Sequence, residues 1–146
     1  MAEIPAEFHD LFEKRTFAHV STLLPDGSPQ VTPVWVDYDE ATGDLLVNTA
    51  RGRRKEKNLR GDSRVAVSMT DPDDGYRFLA VRGEATLTTE GAVAHINELA
   101  SRYMGVDEDG VFSDDDVRVD AAARRGLVTD RDAVNGHGVP VDAARA

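Results

Sequence analysis

Residues 17–35 read Phe17-Ala18-His19-Val20-Ser21-Thr22-Leu23-Leu24-Pro25-Asp26-Gly27-Ser28-Pro29-Gln30-Val31-Thr32-Pro33-Val34-Trp35. Segment 17–24 alternates around Phe17, His19, Ser21 and Leu23, the two-residue period of a strand. Pro25-Asp26-Gly27-Ser28 is a turn signal. Proline presets one backbone angle, aspartate bonds nearby amides, and glycine accepts a positive φ. Segment 29–38 is the returning strand, so the stretch predicts a β-hairpin. A second turn at 39–44 leads to a third strand at 45–49. Three strands in meander order predict an antiparallel sheet or barrel.

Working outward, Phe8, Leu11 and Phe12 give 7–15 the spacing of a short amphipathic helix. Segment 51–60 suits a helix ending near Gly61. A fourth strand is predicted at 65–69, a solvated loop at 71–75 and a fifth strand at 78–87. Gly83 marks a candidate bulge in that last strand. Helix 90–104 places Val93, Ile96, Leu99, Ala100 and Tyr103 on one face. From Gly105 onward apolar density falls, and one short strand is predicted within 111–119. Segment 121–146 shows neither period and reads as weakly ordered. The expected plan is one mainly β domain over 1–119 with flanking helices, an α+β chain, followed by an atypical tail at 120–146.

The chain has 146 residues, enough for a real hydrophobic core. It contains no cysteine, which excludes disulfides and thiolate chemistry. Its start lacks the basic-then-apolar order of a signal peptide, and no apolar run approaches the roughly 20 residues that span a bilayer. A soluble, cytoplasmic protein is expected. Eighteen Asp and nine Glu give a formal charge of −10. Such a surface repels nucleic acid and anionic membrane. With arginine far outnumbering lysine, it resembles proteins of salt-loving cells, where about 1 M salt screens self-repulsion to about 3 Å.

Against this acidity, six cations fall within 51–60: Arg51, Arg53, Arg54, Lys55, Lys57 and Arg60. Two of the three lysines of the chain are here. Fixed cations at a strand exit and a helix start suit phosphate. Arg51 and Lys55 lie four apart and are expected to share a helix face. Arginine offers a forked donor and lysine a mobile point charge. Asn48 and Thr49 on the preceding strand add neutral donors and acceptors. A flat ring attached to that phosphate could lie along Thr32, Pro33, Val34 and Trp35, because Pro33 interrupts the ladder and neighbouring amides face the ring edge. A charged helix is also what a solvated surface face looks like, and the residues alone leave both readings open. His9, His19, His95 and His137 have no metal-ligand spacing, and no metal is expected.

These residues resemble a family. The quoted hairpin is similar to the opening hairpin of the pyridoxamine 5′-phosphate oxidase-like split β-barrel flavoproteins. The stretch Asn48-Thr49-Ala50-Arg51-Gly52-Arg53-Arg54-Lys55, then Asn58-Leu59-Arg60 and Asp62-Ser63-Arg64-Val65, follows the same family in order and spacing. The resemblance runs from about Phe8 to Tyr103 and is nearest the subgroup that uses the deazaflavin F420. It implies a six-stranded antiparallel split barrel and a homodimer with two cofactor sites at the subunit interface. It implies cofactor phosphate at Arg51 and Lys55, with Asn48 and Thr49 nearby, and the ring along Thr32 to Trp35. Arg77 is a further contact by the same resemblance. Family members close the barrel with a late apolar strand. Val117-Arg118-Val119 begins like that strand, but Asp120-Ala121-Ala122-Ala123-Arg124-Arg125-Gly126 does not continue it.

The expected function is hydride transfer through FMN or F420 to a small organic substrate. The two cofactors present a phosphate and a similar ring to the same strand, so the residues do not separate them. No side chain stands out as an acid, base or nucleophile, which suits a site where the cofactor carries the chemistry. Two alternatives remain: a non-catalytic protein that stores or senses the cofactor, and a haem-handling barrel with His19 or His95 as axial ligand.

Overall fold

The computed structural model describes residues 4–105 and 116–129. The opening alternation folds as a hairpin. Strand β1 (Phe17–Leu23) pairs antiparallel with β2 (Pro29–Trp35), Phe17 opposite Trp35 and Leu23 opposite Pro29. In the turn Gly27 takes a φ of 85°, and the Asp26 carboxylate accepts the Ser28 amide at 2.9 Å. Ala18, Val20 and Thr22 point inward and are buried.

The expected single strand at 29–38 is two strands. β2 ends at Trp35, and β3 (Asp37–Asp39) pairs with β4 (Asp44–Ala50) instead. The three-strand meander is therefore not formed, because the chain changes edges of the sheet at Val36. That residue is 0% exposed. Its amide donates to the Tyr103 hydroxyl at 3.2 Å, and its carbonyl accepts from Arg102 at 3.2 Å. The same hydroxyl donates to the Thr16 carbonyl. Two side chains from a helix far along the chain thus satisfy the backbone groups that the ladder abandons. Tyr103→Phe is expected to leave the Val36 amide and the Thr16 carbonyl without partners. The cost is about 2 kcal/mol, or roughly 5 °C in Tm, measured by thermal unfolding.

Beyond β4 come α1 (Arg54–Gly61), β5 (Arg64–Asp71), β6 (Asp74–Thr88), α2 (Ala92–Met104) and β7 (Asp116–Thr129). The seven strands form one antiparallel sheet in the order β2-β1-β5-β6-β7-β4-β3. Among the described residues both ends of this order are open edges, as in a split barrel. One cluster draws Val36 from the crossover, Ala18 and Val20 from β1, Leu45 and Val47 from β4, Val65, Val67 and Met69 from β5, Leu79 and Val81 from β6, and Val119 from β7. The sheet therefore curls around a single core.

The C-terminal expectation needs correction. β7 does not stop at Val119. It runs to Thr129 and pairs with β4 from Asp116 to Ala122 and with β6 as far as Thr129. The boundary drawn at 119/120 falls inside this strand, and the remainder of the expected tail, 130–146, lies outside the described residues. The register shift at Arg82/Gly83 against β7 is the irregularity that Gly83 announced.

The N-terminal segment is a 3-10 helix (Ala6–Phe12) rather than an α-helix over 7–15. A segment this short has little helical stability of its own, and packing decides its winding. Phe8, Leu11 and Phe12 are still its buried residues. It is held to the β5–β6 turn by ion pairs, so the expected solvated loop at 71–75 is only partly solvated. Asp71 is 4% exposed and meets Lys14 at 2.9 Å and Arg77 at 2.8 Å. Arg77 also pairs with Asp10 at 2.7 Å, bonds the Glu7 carbonyl and lies 4.9 Å from the centre of the Phe8 ring. Lys14 reaches Asp73 at 3.0 Å. Among the described residues no helix is long and apolar enough to cross a membrane.

Candidate functional site

The β4–α1 junction is built by one turn. The Arg53 amide returns to the Ala50 carbonyl at 3.2 Å, and Gly52 takes a φ of 81°. A side chain at that φ costs about 1 kcal/mol, so glycine suits the position. The helix starts at Arg54, with Arg53 as its cap. Arg51 therefore sits in the turn, outside the helix, and the expected shared helical face with Lys55 does not exist. The two side chains flank the helix entrance instead. Glu56, on the first turn, folds back toward the Gly52 amide at 3.4 Å and pairs with Arg60.

The buried residues of α1 are Glu56, Asn58 and Leu59, and half-buried Lys55 flanks Asn58 and Leu59 at helical spacings of three and four. Leu59 enters the core. Asn58 is 2% exposed and binds both strands of the opening hairpin: its amide group donates to the Thr22 hydroxyl at 3.0 Å and to the Gln30 carbonyl at 3.2 Å. Its own carbonyl accepts from Arg54 at 2.9 Å. Lys55 is half-buried, and among the described residues its ammonium has no ion pair or hydrogen bond. Burial, and then the Arg53 charge, hold its pKa below the usual lysine range. Arg51 is exposed; among the described residues it makes no hydrogen bond or close ion pair, and its charge acts on the Glu56 carboxylate.

Of the nine residues singled out from sequence, three carry buried polar atoms that lack a partner: the Thr32 hydroxyl, the Asn48 carbonyl and the Thr49 hydroxyl. Among the described residues these are the buried side-chain atoms in that condition. Buried polar groups are normally bonded, so three orphans in this one region call for an explanation. Thr32 shares the inward side of β2 with Gln30 and with Val34, which packs on the core. Thr49 follows Leu45 and Val47 inward along β4.

Asn48 points the other way, because neighbours on a strand face opposite sides. Its amide meets His95 Nδ1 on α2 at 2.6 Å. His95 Nε2 meets Asp37 at 3.1 Å, and Asp37 also pairs with Arg102 at 3.1 Å. Burial pushes Asp37 up, but the His95 bond, the Tyr38 amide and Arg102 outweigh it and hold the carboxyl at about 2. A carboxylate only accepts, so in the neutral ring Nε2 carries the proton and Nδ1 accepts from Asn48. The Asn48 carbonyl is thereby left over. The structure thus divides the set: Thr32 and Thr49 face the interior, while Asn48 belongs to a polar cluster under α2.

Pro33 is exposed and lies opposite His19 on β2, an edge strand, where a missing N–H is tolerated. With β1 on one side only, alternate backbone groups of β2 point outward, free to meet a ligand edge. Trp35 stacks on Tyr103 with centroids 5.3 Å apart and planes at 16°, so one face of its indole is covered. Arg77 is not brought to this group. Its guanidinium is spent on Asp10, Asp71 and the Glu7 carbonyl, where it clamps the N-terminal segment. A groove of about 760 Å³ is lined by Ser21, Leu23, Ala66, Arg82, Gly83 and Glu84, and includes none of the nine residues. The candidate site at the β4–α1 junction therefore lies apart from that cavity. Sequence reading missed His95 as the partner of Asn48, and it noted Asn58 only within the family-like stretch, with no role attached. An uncharged Asn three residues after Lys55, beside an apolar Leu on a charged helix, is the signal that could have found the second.

A family profile described as pyridoxamine 5′-phosphate oxidase matches residues 4–130. Among solved structures, one titled F420 reductase is 31% identical over 81% of this chain and 94% of its own, with a TM-score of 0.70. A conserved hypothetical protein from Mycobacterium tuberculosis is 26% identical over 86% of this chain and 83% of its own, with a TM-score of 0.69. General Stress Protein 26 from Bacillus anthracis, at 15% identity over 82% of this chain and 88% of its own, with a TM-score of 0.61, shares the fold.

Proposed function

Because the chain belongs to the pyridoxamine 5′-phosphate oxidase family, we propose that it is an oxidoreductase that holds FMN or F420 with the phosphate at the β4–α1 junction. The observation that carries this reading is the half-buried, unpaired Lys55 at the entrance of α1, four residues after Arg51, in a chain of net charge −10. Carboxylates abound, yet among the described residues none approaches that ammonium. A phosphate would neutralise it and accept charge-assisted bonds from both cations. The bound ring supplies hydride chemistry. The chain positions it with those backbone groups between Thr32 and Trp35 that face away from β1, and Trp35 shields one side together with Tyr103. The relative titled F420 reductase favours the deazaflavin as cofactor. As in the resemblance, two copies would assemble with the sites between them. Phe17 at 54% exposed and Val31 at 59%, both on the opening hairpin, are apolar surface that a second copy would cover.

Proton linkage tests the phosphate assignment. The free protein loses the Lys55 proton below the ordinary lysine range, and a bound phosphate would raise that pKa again. Binding above the lowered pKa must therefore recapture a proton, and affinity should fall by up to about tenfold per pH unit there. Fluorescence titration of FMN and F420 from neutral to alkaline pH is expected to show this fall. Lys55→Arg, which keeps its charge, should flatten it. A profile identical in the two proteins would remove Lys55 from the site. Turnover separates enzyme from storage protein: a bound cofactor that no donor reduces would favour storage or sensing. For haem handling, both ring nitrogens of His95 are already engaged.

A further inference from the structure

We propose that Asn58 is a positioning residue for phosphate recognition: by tying α1 to both strands of the opening hairpin, it fixes where the Lys55 ammonium stands relative to β2. The proposal rests on the reading of Lys55 given above.

Helix α1 is eight residues long and has a mostly charged sequence, Arg-Lys-Glu-Lys-Asn-Leu-Arg-Gly. A helix this short is not stable by itself. Its attachment to the sheet is narrow. Leu59 and Asn58 are buried, and Glu56 is turned back onto the helix entrance and Arg60. Leu59 gives adhesion but little direction, since apolar packing tolerates sliding and rotation. Asn58 gives direction. Its two amide hydrogens go to different strands, Thr22 of β1 and Gln30 of β2, and its carbonyl is held by Arg54. Two bonds to the sheet, from an amide plane that Arg54 steadies within the helix, leave α1 one rotation about its axis and one height on the sheet.

Lys55 is one turn before Asn58 on the same face. A small rotation of α1 would carry its side chain from the half-buried flank into solvent, where Arg53, Arg54 and Lys57 already are. Gln30 is also two residues before Thr32 on β2, on the same inward side. Asn58 therefore couples the cation on the helix to the strand that carries the orphaned Thr32 hydroxyl. A residue that set only global stability would affect every ligand alike. A residue that aims Lys55 affects ligands according to whether they carry a phosphate.

The experiment compares FMN with riboflavin, and F420 with the same deazaflavin lacking its phosphate, on the full chain. The readout is the ratio of the two dissociation constants within each pair. For Asn58→Ala the ratio is expected to fall five- to tenfold, with affinity for the phosphate-free ring nearly unchanged. Thr22→Val removes one anchor from the strand side and is expected to lower the ratio two- to threefold, which serves where Asn58→Ala folds poorly. Asn58→Asp can still accept from Thr22, Gln30 and Arg54 after their groups rotate, and adds an anion one turn from Lys55; it should lower the ratio more than Asn58→Ala does. If Lys55→Ala lowers the ratio while Asn58→Ala and Thr22→Val leave it at the wild-type value, the positioning role is wrong and the phosphate site stands. If Lys55→Ala itself leaves the ratio unchanged, both fall.

Discussion

Arg51→Ala combined with Lys55→Ala is expected to weaken binding of the phosphorylated cofactor by at least tenfold and up to about a thousandfold. Each charge-assisted bond contributes about 1.5–3 kcal/mol, and the two cations act on one group. The lower bound allows for a cation elsewhere in the cluster moving in. Arg53 and Lys57 are exposed and close in sequence, though neither is half-buried as Lys55 is. Stability should hold or rise, because the substitution removes a half-buried ammonium whose charged form is disfavoured. Opposite signs for affinity and stability make the result hard to mistake for partial unfolding. Affinity by fluorescence quenching and unfolding by denaturant, on the same samples, give both. Unchanged affinity would move the cofactor away from the β4–α1 junction.

Arg77→Met is expected to do the reverse. Among the described residues it leaves Asp71 buried with Lys14 as its one remaining cation and leaves Asp10 with Lys14 alone, at 3.5 Å, at a cost of about 2–3 kcal/mol in unfolding free energy. Cofactor affinity of the folded protein should not change, although sequence resemblance alone would put Arg77 in the site. Acid adds a second measurement. Burial raises the Asp71 pKa, but the Asp73 amide, Lys14 and Arg77 outweigh it and hold the group at about 2. A carboxyl lowered on folding stabilises the protein above its unfolded value near 3.9, and that contribution is lost as pH falls toward about 2. Without Arg77 the loss should begin at higher pH, so the acid-unfolding midpoint should rise. Lost affinity with unaltered stability would return Arg77 to the cofactor.

What could be read from sequence was what is local. Alternation gave β1, β2 and the β5–β6 pair, and Pro25 to Ser28 gave the first turn. The crossover at Val36 was hidden because alternation continues through it from Thr32 to Tyr38. Only Tyr103 and Arg102, more than sixty residues away, mark it. β7 was hidden for a similar reason: a strand between two others is held by its neighbours' ladders, and its own composition need not declare it. At the site, Arg51 and Lys55 stood out as cations in an acidic chain, but Gly52 between them should have warned that the helix begins later. The Arg77 clamp was hidden because its partner Asp10 lies on an element 67 residues away in sequence. Asn48 looked like a neighbour of Thr49 in function, yet the strand turns them to opposite sides.

The sheet order has a consequence for synthesis. β2-β1-β5-β6 form one set of ladders and β4-β3 another, and no backbone pairing joins them except through β7. Of the described strands, β7 is the last to leave the ribosome. Until it emerges, the two sets can touch only through side chains, and each presents a long unpaired margin where the seventh strand belongs. The nascent chain thus waits for its keystone with two sticky borders exposed, and trigger-factor-type protection would matter most in that interval.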